Sequence, residues 1–306
     1  MKNFADRLLE KIEERDNPSV IGLDSDFTKI PDHLKIKNLK KFGNNVRGVT
    51  ECILEFNKKL LDSISDIVPA VKIQSAFYEM YGFEGMRVFQ ETADYAKRKN
   101  LIVIGDVKRN DIGNTAKAYS SGYIGEVDVF GRKGKTFDLD CITVNPYLGS
   151  DGIAPFIEDS KNNGKGIFVL VKTSNPSSIE IQDLETANGK IYETVARLVS
   201  NWSEGLEGER GYSPVGAVVG ATFPEEMRML RKIMERSILL VPGYGTQGGG
   251  IKDVKNAFNQ NGSGALIHSA RKVIFSFEKN RPEDFDLTAR EECVRMRDEI
   301  NMAVRI

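Results

Sequence analysis

The stretch LIVIGDVKRNDIGNT, residues 101–115, places two kinds of chemistry side by side. Leu101 to Gly105 is an apolar, largely β-branched run, and four charges, Asp106, Lys108, Arg109 and Asp111, follow at once. A near-continuous apolar run belongs to a strand buried on both faces, as in a parallel sheet; a half-exposed strand would alternate. In parallel α/β folds the carboxyl ends of the strands form the ligand site. The charges therefore stand where a barrel or an open sheet would keep its chemistry.

Working outward, seven further runs have the same character: SVIGL (19–23), IVPAVKI (67–73), DCITVN (140–145), GIFVLVK (166–172), VGAVVG (215–220), SILLVPG (237–243) and GALIHS (264–269). Helix-compatible stretches such as VTECILEFNKKLLDSI, FEGMRVFQETADYAKRKN, IYETVARLVSNWSE and PEEMRMLRKIM lie between most of them. Eight strands alternating with helices predict a (β/α)8 TIM barrel, with a doubly wound sheet as the competitor. No Gly-x-Gly-x-x-Gly opens a helix after the first strand, which counts against a dinucleotide-binding sheet. The expectation is one α/β barrel domain over 1–306, with Gly-rich, charged surface insertions near 25–50, 121–139 and 174–214.

Composition narrows the function classes. Among 306 residues there are 43 basic and 44 acidic side chains, so no basic face for nucleic acid is expected. Cys52, Cys141 and Cys293 are scattered, lack metal-ligand spacing and suit a reducing compartment. The first residues, MKNFADRLLEKIEERDN, read as a charged amphipathic helix without the apolar centre of a signal peptide, and no apolar run has the length of a membrane span. A soluble cytoplasmic protein without membrane or nucleic-acid partners is expected.

Almost every strand delivers a polar group to the same rim. The first ends in Asp24, the second carries Lys72, the third Asp106 and Lys108, and the fourth Asn145. The fifth gives Lys172, Thr173 and Ser174, the seventh runs into PGYGTQGGG (242–250), and the eighth leads to Ser269 and Arg271. A purely structural barrel needs only branched apolar layers. Side chains two apart on a strand point the same way, so Asp106 and Lys108 share a face, and Lys72 on the neighbouring strand reaches the same space. Asp111 lies beyond the strand and must come from a loop or from another subunit. The Gly-rich loop presents backbone N–H groups, and Arg271 a planar fork, at the position where barrels often bind phosphate. His268 reads as a packed strand residue, His33 as solvent-facing and Trp202 as packing. No Cys/His metal set and no Gly-x-Ser-x-Gly elbow occurs, and lysines interleaved among Asp24, Asp106 and Asp111 argue against a metal there.

These residues resemble a known family. DVKRNDIGNT is similar to the Asp-x-Lys-x-x-Asp-Ile signature of the orotidine 5′-phosphate decarboxylases. The likeness extends through GLD (22–24), AVKIQSAFYE (70–79), TVNPYLG (143–149), VKTSNP (171–176), VPGYGTQGG (241–249) and SAR (269–271), in the order and spacing of the longer bacterial subfamily. The resemblance implies conversion of orotidine monophosphate to uridine monophosphate, the last step of de novo pyrimidine synthesis, with no metal and no organic cofactor. It implies an alternating charged network of Lys72, Asp106, Lys108 and Asp111, with Lys108 as proton donor to C6. It also implies ribose binding by Asp24 and Lys72, a pyrimidine contact from Ser174, and phosphate binding by Gln247 and Arg271. Tyr244 would assist from the closing loop, and Pro242 is a further substrate-binding residue. In a homodimer, Asp111, Ile112 and Thr115 would reach across the interface. The long insertions depart from the family pattern.

The residues themselves leave other readings open. A Mg²⁺-dependent sugar-phosphate decarboxylase or epimerase would keep Asp106, Lys108 and the phosphate loop. A Schiff-base aldolase would use Lys72, Lys108 or Lys172. A phosphate-ligand sensor would bind without turnover.

Overall fold

A computed structural model describes residues 2–244, 251–279 and 281–304. Eight parallel strands close into a barrel: β1 (Ser19–Leu23), β2 (Ala70–Gln74), β3 (Ile102–Arg109), β4 (Cys141–Val144), β5 (Gly166–Lys172), β6 (Ser213–Val219), β7 (Ser237–Val241) and β8 (Ala265–Ser269). Each pairs with its sequence neighbours, and β8 closes on β1. The apolar runs of the sequence fall on these strands because both faces are buried, one against the barrel axis and the other against helices.

The axial face changes character from bottom to top. Val20, Ala70, Ile102, Ile104, Cys141, Phe168, Val218, Ile238, Leu240 and Leu266 fill the lower barrel as one buried cluster. Toward the strand ends Lys72, Asp106, Thr143 and His268 replace them, all buried. The amphipathic N-terminal segment forms α1 (Phe4–Arg15), capped by the Asn3 side chain, which accepts a hydrogen bond from the Ala5 N–H at 2.7 Å. Its Phe4, Leu8 and Leu9 join the axial cluster and seal the barrel floor. Phe4 packs edge-on to Phe168 with ring centroids 6.2 Å apart. Gly166 makes this possible, since a Cβ there would lie 2.2 Å from the Phe4 ring.

Outside the barrel, α2 (Asp32–Phe42), α3 (Val46–Ile64), α4 (Gly82–Arg98), α5 (Gly113–Tyr123), α6 (Ser150–Asn163), α7 (Ile191–Ser203), α8 (Pro224–Ile233) and α9 (Phe285–Val304) bury apolar stripes against the strands or one another. The three long connections carry small elements. The first holds a 3₁₀ turn (Phe27–Lys29) and α2; the second an antiparallel ribbon, Val127–Val129 with Arg132–Gly134; the third a shorter ribbon, Glu185–Thr186 with Gly189–Lys190. Among the described residues no helix is long and apolar enough to cross a membrane.

Truncating the floor plug exposes the axial cluster and leaves a cavity beneath Phe168. Phe4→Ala is expected to destabilise the fold by about 3–4 kcal/mol, read as a lowered urea midpoint; a loss below about 1 kcal/mol would show that α1 does not seal the core.

Candidate active site

The strand ends converge on a cavity of about 820 Å³. Asp24, Lys72, Gln74, Asp106, Lys108 and Thr143 line its floor, with His268 beside them. At the centre is the Asp106 carboxylate. Its Oδ2 accepts from Lys72 Nζ at 2.7 Å and from Gln74 Nε2 at 2.9 Å. Its Oδ1 accepts from Lys108 Nζ at 2.5 Å and from the Thr143 hydroxyl at 2.9 Å. Strand register explains the meeting: Lys72 lies opposite Gly22 and Ile104, and Gln74 opposite Asp106.

The electrostatics follow from burial and partners. Desolvation alone would push the Asp106 carboxyl up, but the two ammonium groups outweigh it and hold the acid well below its usual range. Burial alone would strip the Lys72 proton; Asp106, and Asp24 at 3.6 Å, reverse that and raise its pKa. Burial, followed by the Lys72 charge, pulls His268 down to about 3, so the imidazole is neutral at physiological pH. The floor thus holds a buried carboxylate between a buried cation, Lys72, and a more exposed one, Lys108.

Lys108 reaches this floor by an irregular route. The sequence pattern makes Asp106 and Lys108 simple same-face neighbours two residues apart. In the structure the β3–β4 register shifts between Gly105 and Arg109, and Lys108 takes φ 46°, the left-handed region, at a cost of about 1 kcal/mol for a side chain with a Cβ. The Thr143 hydroxyl holds the displaced backbone by accepting from the Lys108 N–H at 3.0 Å. Having accepted there, it turns its own proton to Asp106. One hydroxyl therefore sets both the backbone bend and the carboxylate.

Other sequence-derived candidates divide. Ser174 and Pro242 line the cavity, with Asn145, Thr173 and Gln182 around them. Lys172 does not: it is fully buried away from the floor, paired to Asp183 Oδ2 at 2.5 Å and lying 4.3 Å from the Phe223 ring centroid. It ties the third long connection to the barrel. Tyr244 also turns away, buried and donating its hydroxyl to Glu299 on α9. Arg271 begins a short helix after β8 and is exposed outside the cavity lining. Asp111, Ile112 and Thr115 stand on the rim around the start of α5, outside the cavity of their own chain, with Ile112 half exposed. Gln247 lies outside the described residues.

Gln74, Thr143 and His268 were not among the candidates. Gln74 was legible as the next inward position after Lys72, and Thr143 as the inward neighbour of Asn145. The expectation that His268 is only a packed strand residue is half right: it is buried on β8, yet its ring lines the cavity. Among the described residues no group of acidic, His and Cys side chains is arranged to hold a metal.

A closed parallel barrel whose strand ends carry a lysine–aspartate–lysine cluster in a cavity has the build of a TIM-barrel enzyme. Residues 44–279 match the model of the orotidine 5′-phosphate decarboxylase / HUMPS family. A curated orotidine 5′-phosphate decarboxylase of Caldicellulosiruptor saccharolyticus is 40% identical over 99% of this chain and 100% of its own. One of Rhodopirellula baltica is 40% identical over 95% of this chain and 93% of its own. The solved Leishmania donovani OMP decarboxylase superposes with a TM-score of 0.70 at 27% identity, covering 97% of this chain and 99% of its own. This chain belongs to the orotidine 5′-phosphate decarboxylase family, which catalyses the last step of UMP biosynthesis.

Removing the central anion leaves Lys72 buried with only the more distant Asp24. Asp106→Asn is expected to cost about 3 kcal/mol of stability at pH 7. In the wild type the raised Lys72 pKa contributes stability that is complete below the unfolded value and lost as pH climbs through the folded one. In the variant burial lowers that pKa, the unfolded chain binds more protons, and stability rises with pH. The deficit should therefore shrink between pH 7 and 10 in urea titrations; a constant deficit would mean that Lys72 does not depend on Asp106 for its charge.

Proposed function

We propose that this chain decarboxylates orotidine 5′-phosphate to uridine 5′-phosphate without metal or cofactor, with Lys108 protonating C6. The observation that carries the reading is the Asp106 carboxylate holding Lys72 and Lys108 together on the cavity floor. Breaking the C6–carboxylate bond leaves the electron pair in an sp² orbital in the ring plane, where the π system cannot absorb it. A cation beside that carbon lowers the barrier, and an ammonium can also deliver the proton. The balance is complete: CO₂ leaves, one Lys108 Nζ proton bonds to C6, and the neutral amine regains a proton from solvent. Arrival of a held charge needs no reorganisation at the moment of reaction, which is why the fixed Asp106 matters.

The rest of the substrate is assigned by the same reading. Asp24 and Lys72 take ribose hydroxyls, and Ser174 the pyrimidine edge, with Pro242 packed against the ring. Gln247 and Arg271 hold the phosphate, and binding energy from this end of the substrate, remote from C6, can be spent at the reacting centre. Asp111, half-buried, and Ile112 and Thr115, exposed, stand at the rim of their own barrel and are supplied to the site of the second subunit of a homodimer. There Asp111 completes the charged network and repels the substrate carboxylate. The enzyme works as a single barrel domain in the cytoplasm.

The first test is the absorbance change of orotidine monophosphate mixed with purified protein in EDTA, run beside Lys108→Ala. The expected outcome is metal-independent turnover in the wild type and a loss of at least about 10³-fold in the variant. Activity that requires Mg²⁺, or a variant within about tenfold of wild type, would reject the assignment. Subunit sharing has its own readout. Inactive Lys108→Ala and Asp111→Ala proteins, mixed and allowed to exchange subunits, should regain roughly a quarter of wild-type activity, because half of random pairs are mixed and each holds one intact site. No recovery would place Asp111 in its own subunit's site.

A further inference from the structure

The cavity floor contains a polar pair that the charged network does not use. His268 is 9% exposed, and its Nε2 has no hydrogen-bond partner; the same holds for Asp24 Oδ1. Both residues line the cavity, as does Lys72. Both also crowd the same point on β1: a Cβ on Gly22 would lie 2.5 Å from His268 Nε2 and 3.1 Å from Asp24 Oδ1. Gly22 thus holds open the space in which the ring sits, and the acid and the imidazole edge come together there. Lys72 ion-pairs this Asp24 oxygen at 3.6 Å but does not come within hydrogen-bonding range of it, so the oxygen still has a lone pair to offer a donor. Two buried polar atoms without hydrogen-bond partners at one place carry a desolvation cost, and a ligand group that answers both would recover it.

We propose that His268 is a substrate-binding residue, and that with Asp24 it grips a hydroxyl of the nucleotide's ribose. A hydroxyl is the group that fits, because it both donates and accepts. It donates to the Asp24 carboxylate and accepts from a neutral imidazole in the Nε2–H tautomer. An ammonium or a phosphate would answer only one of the two. The neutral state of the ring is the one its burial beside Lys72 favours. The role rests on the ribose reading of Asp24 and Lys72 given above and adds the third contact.

The test measures uridine monophosphate, 2′-deoxyuridine monophosphate and 3′-deoxyuridine monophosphate binding to wild type, His268→Leu and His268→Asn. KM and kcat for orotidine monophosphate are read in the same proteins. In the wild type, one deoxy nucleotide should bind about tenfold more weakly than uridine monophosphate. His268→Leu should weaken uridine monophosphate by a similar factor and bind that deoxy nucleotide no worse than the wild type does, so that the discrimination collapses. Most of its loss in kcat/KM should appear in KM. His268→Asn, which keeps a donor of shorter reach, should retain part of the discrimination and answers for folding should the Leu variant be unstable. If His268→Leu and His268→Asn both discriminate the deoxy nucleotides as the wild type does, the pair is merely hydrated and the proposal falls while the ribose reading stands. A drop in kcat at unchanged KM would instead assign His268 to the Lys72–Asp106 network and overturn the proposal. A wild type indifferent to both deoxy nucleotides would overturn the ribose reading and this proposal together.

Discussion

One carboxylate holds the upper barrel together. Asp106 receives two ammonium groups, an amide and a hydroxyl, delivered by β2, β3 and β4. Lys72 can be buried as a cation only because that anion is there, and Lys108 is aimed into the cavity by the same oxygen pair. Such a cluster is poor at generating stability, since burying charges costs several kcal/mol per ion before their attraction returns it. What it generates is a cation fixed in direction. For a reaction that builds negative charge on carbon, a fixed cation is the useful object.

The remainder of the fold absorbs the cost. The lower barrel is apolar and closed by α1, with Phe4 seated over Gly166 and against Phe168. The strain at Lys108 is local and answered locally, by the Thr143 hydroxyl bridging its N–H to Asp106. A barrel suits this division of labour. Its strands bring residues far apart in sequence to one layer, and its lower layers supply the packing that the charged layer forgoes.

The architecture was legible because a parallel strand buried on both faces is a continuous apolar run, and eight such runs alternate with amphipathic segments. The Asp106, Lys108 and Lys72 cluster was legible for a related reason: inward positions recur every second residue, so polar residues in phase with the core stand out. What escaped depended on contacts between distant segments or on backbone shape. No pattern announces that a lysine will adopt positive φ within β3, or that Thr143 across the ladder will hold it there. Lys172 looked like another rim lysine until Asp183 and the Phe223 ring were seen to bury it. Tyr244 reads as a loop residue near the phosphate site, and its partner is Glu299 near the end of the described chain. His268 reads as packing in the sequence because nothing there shows that the room for its polar edge depends on the missing side chain at Gly22.

The most direct test of the central claim is a crystal structure with uridine monophosphate bound. The account requires pyrimidine C6 within about 3–3.5 Å of Lys108 Nζ, with Asp106 still bridging Lys72 and Lys108 beneath it. A pyrimidine seated with C6 directed away from Lys108, or a floor in which Asp106 releases either lysine to admit the nucleotide, would contradict it.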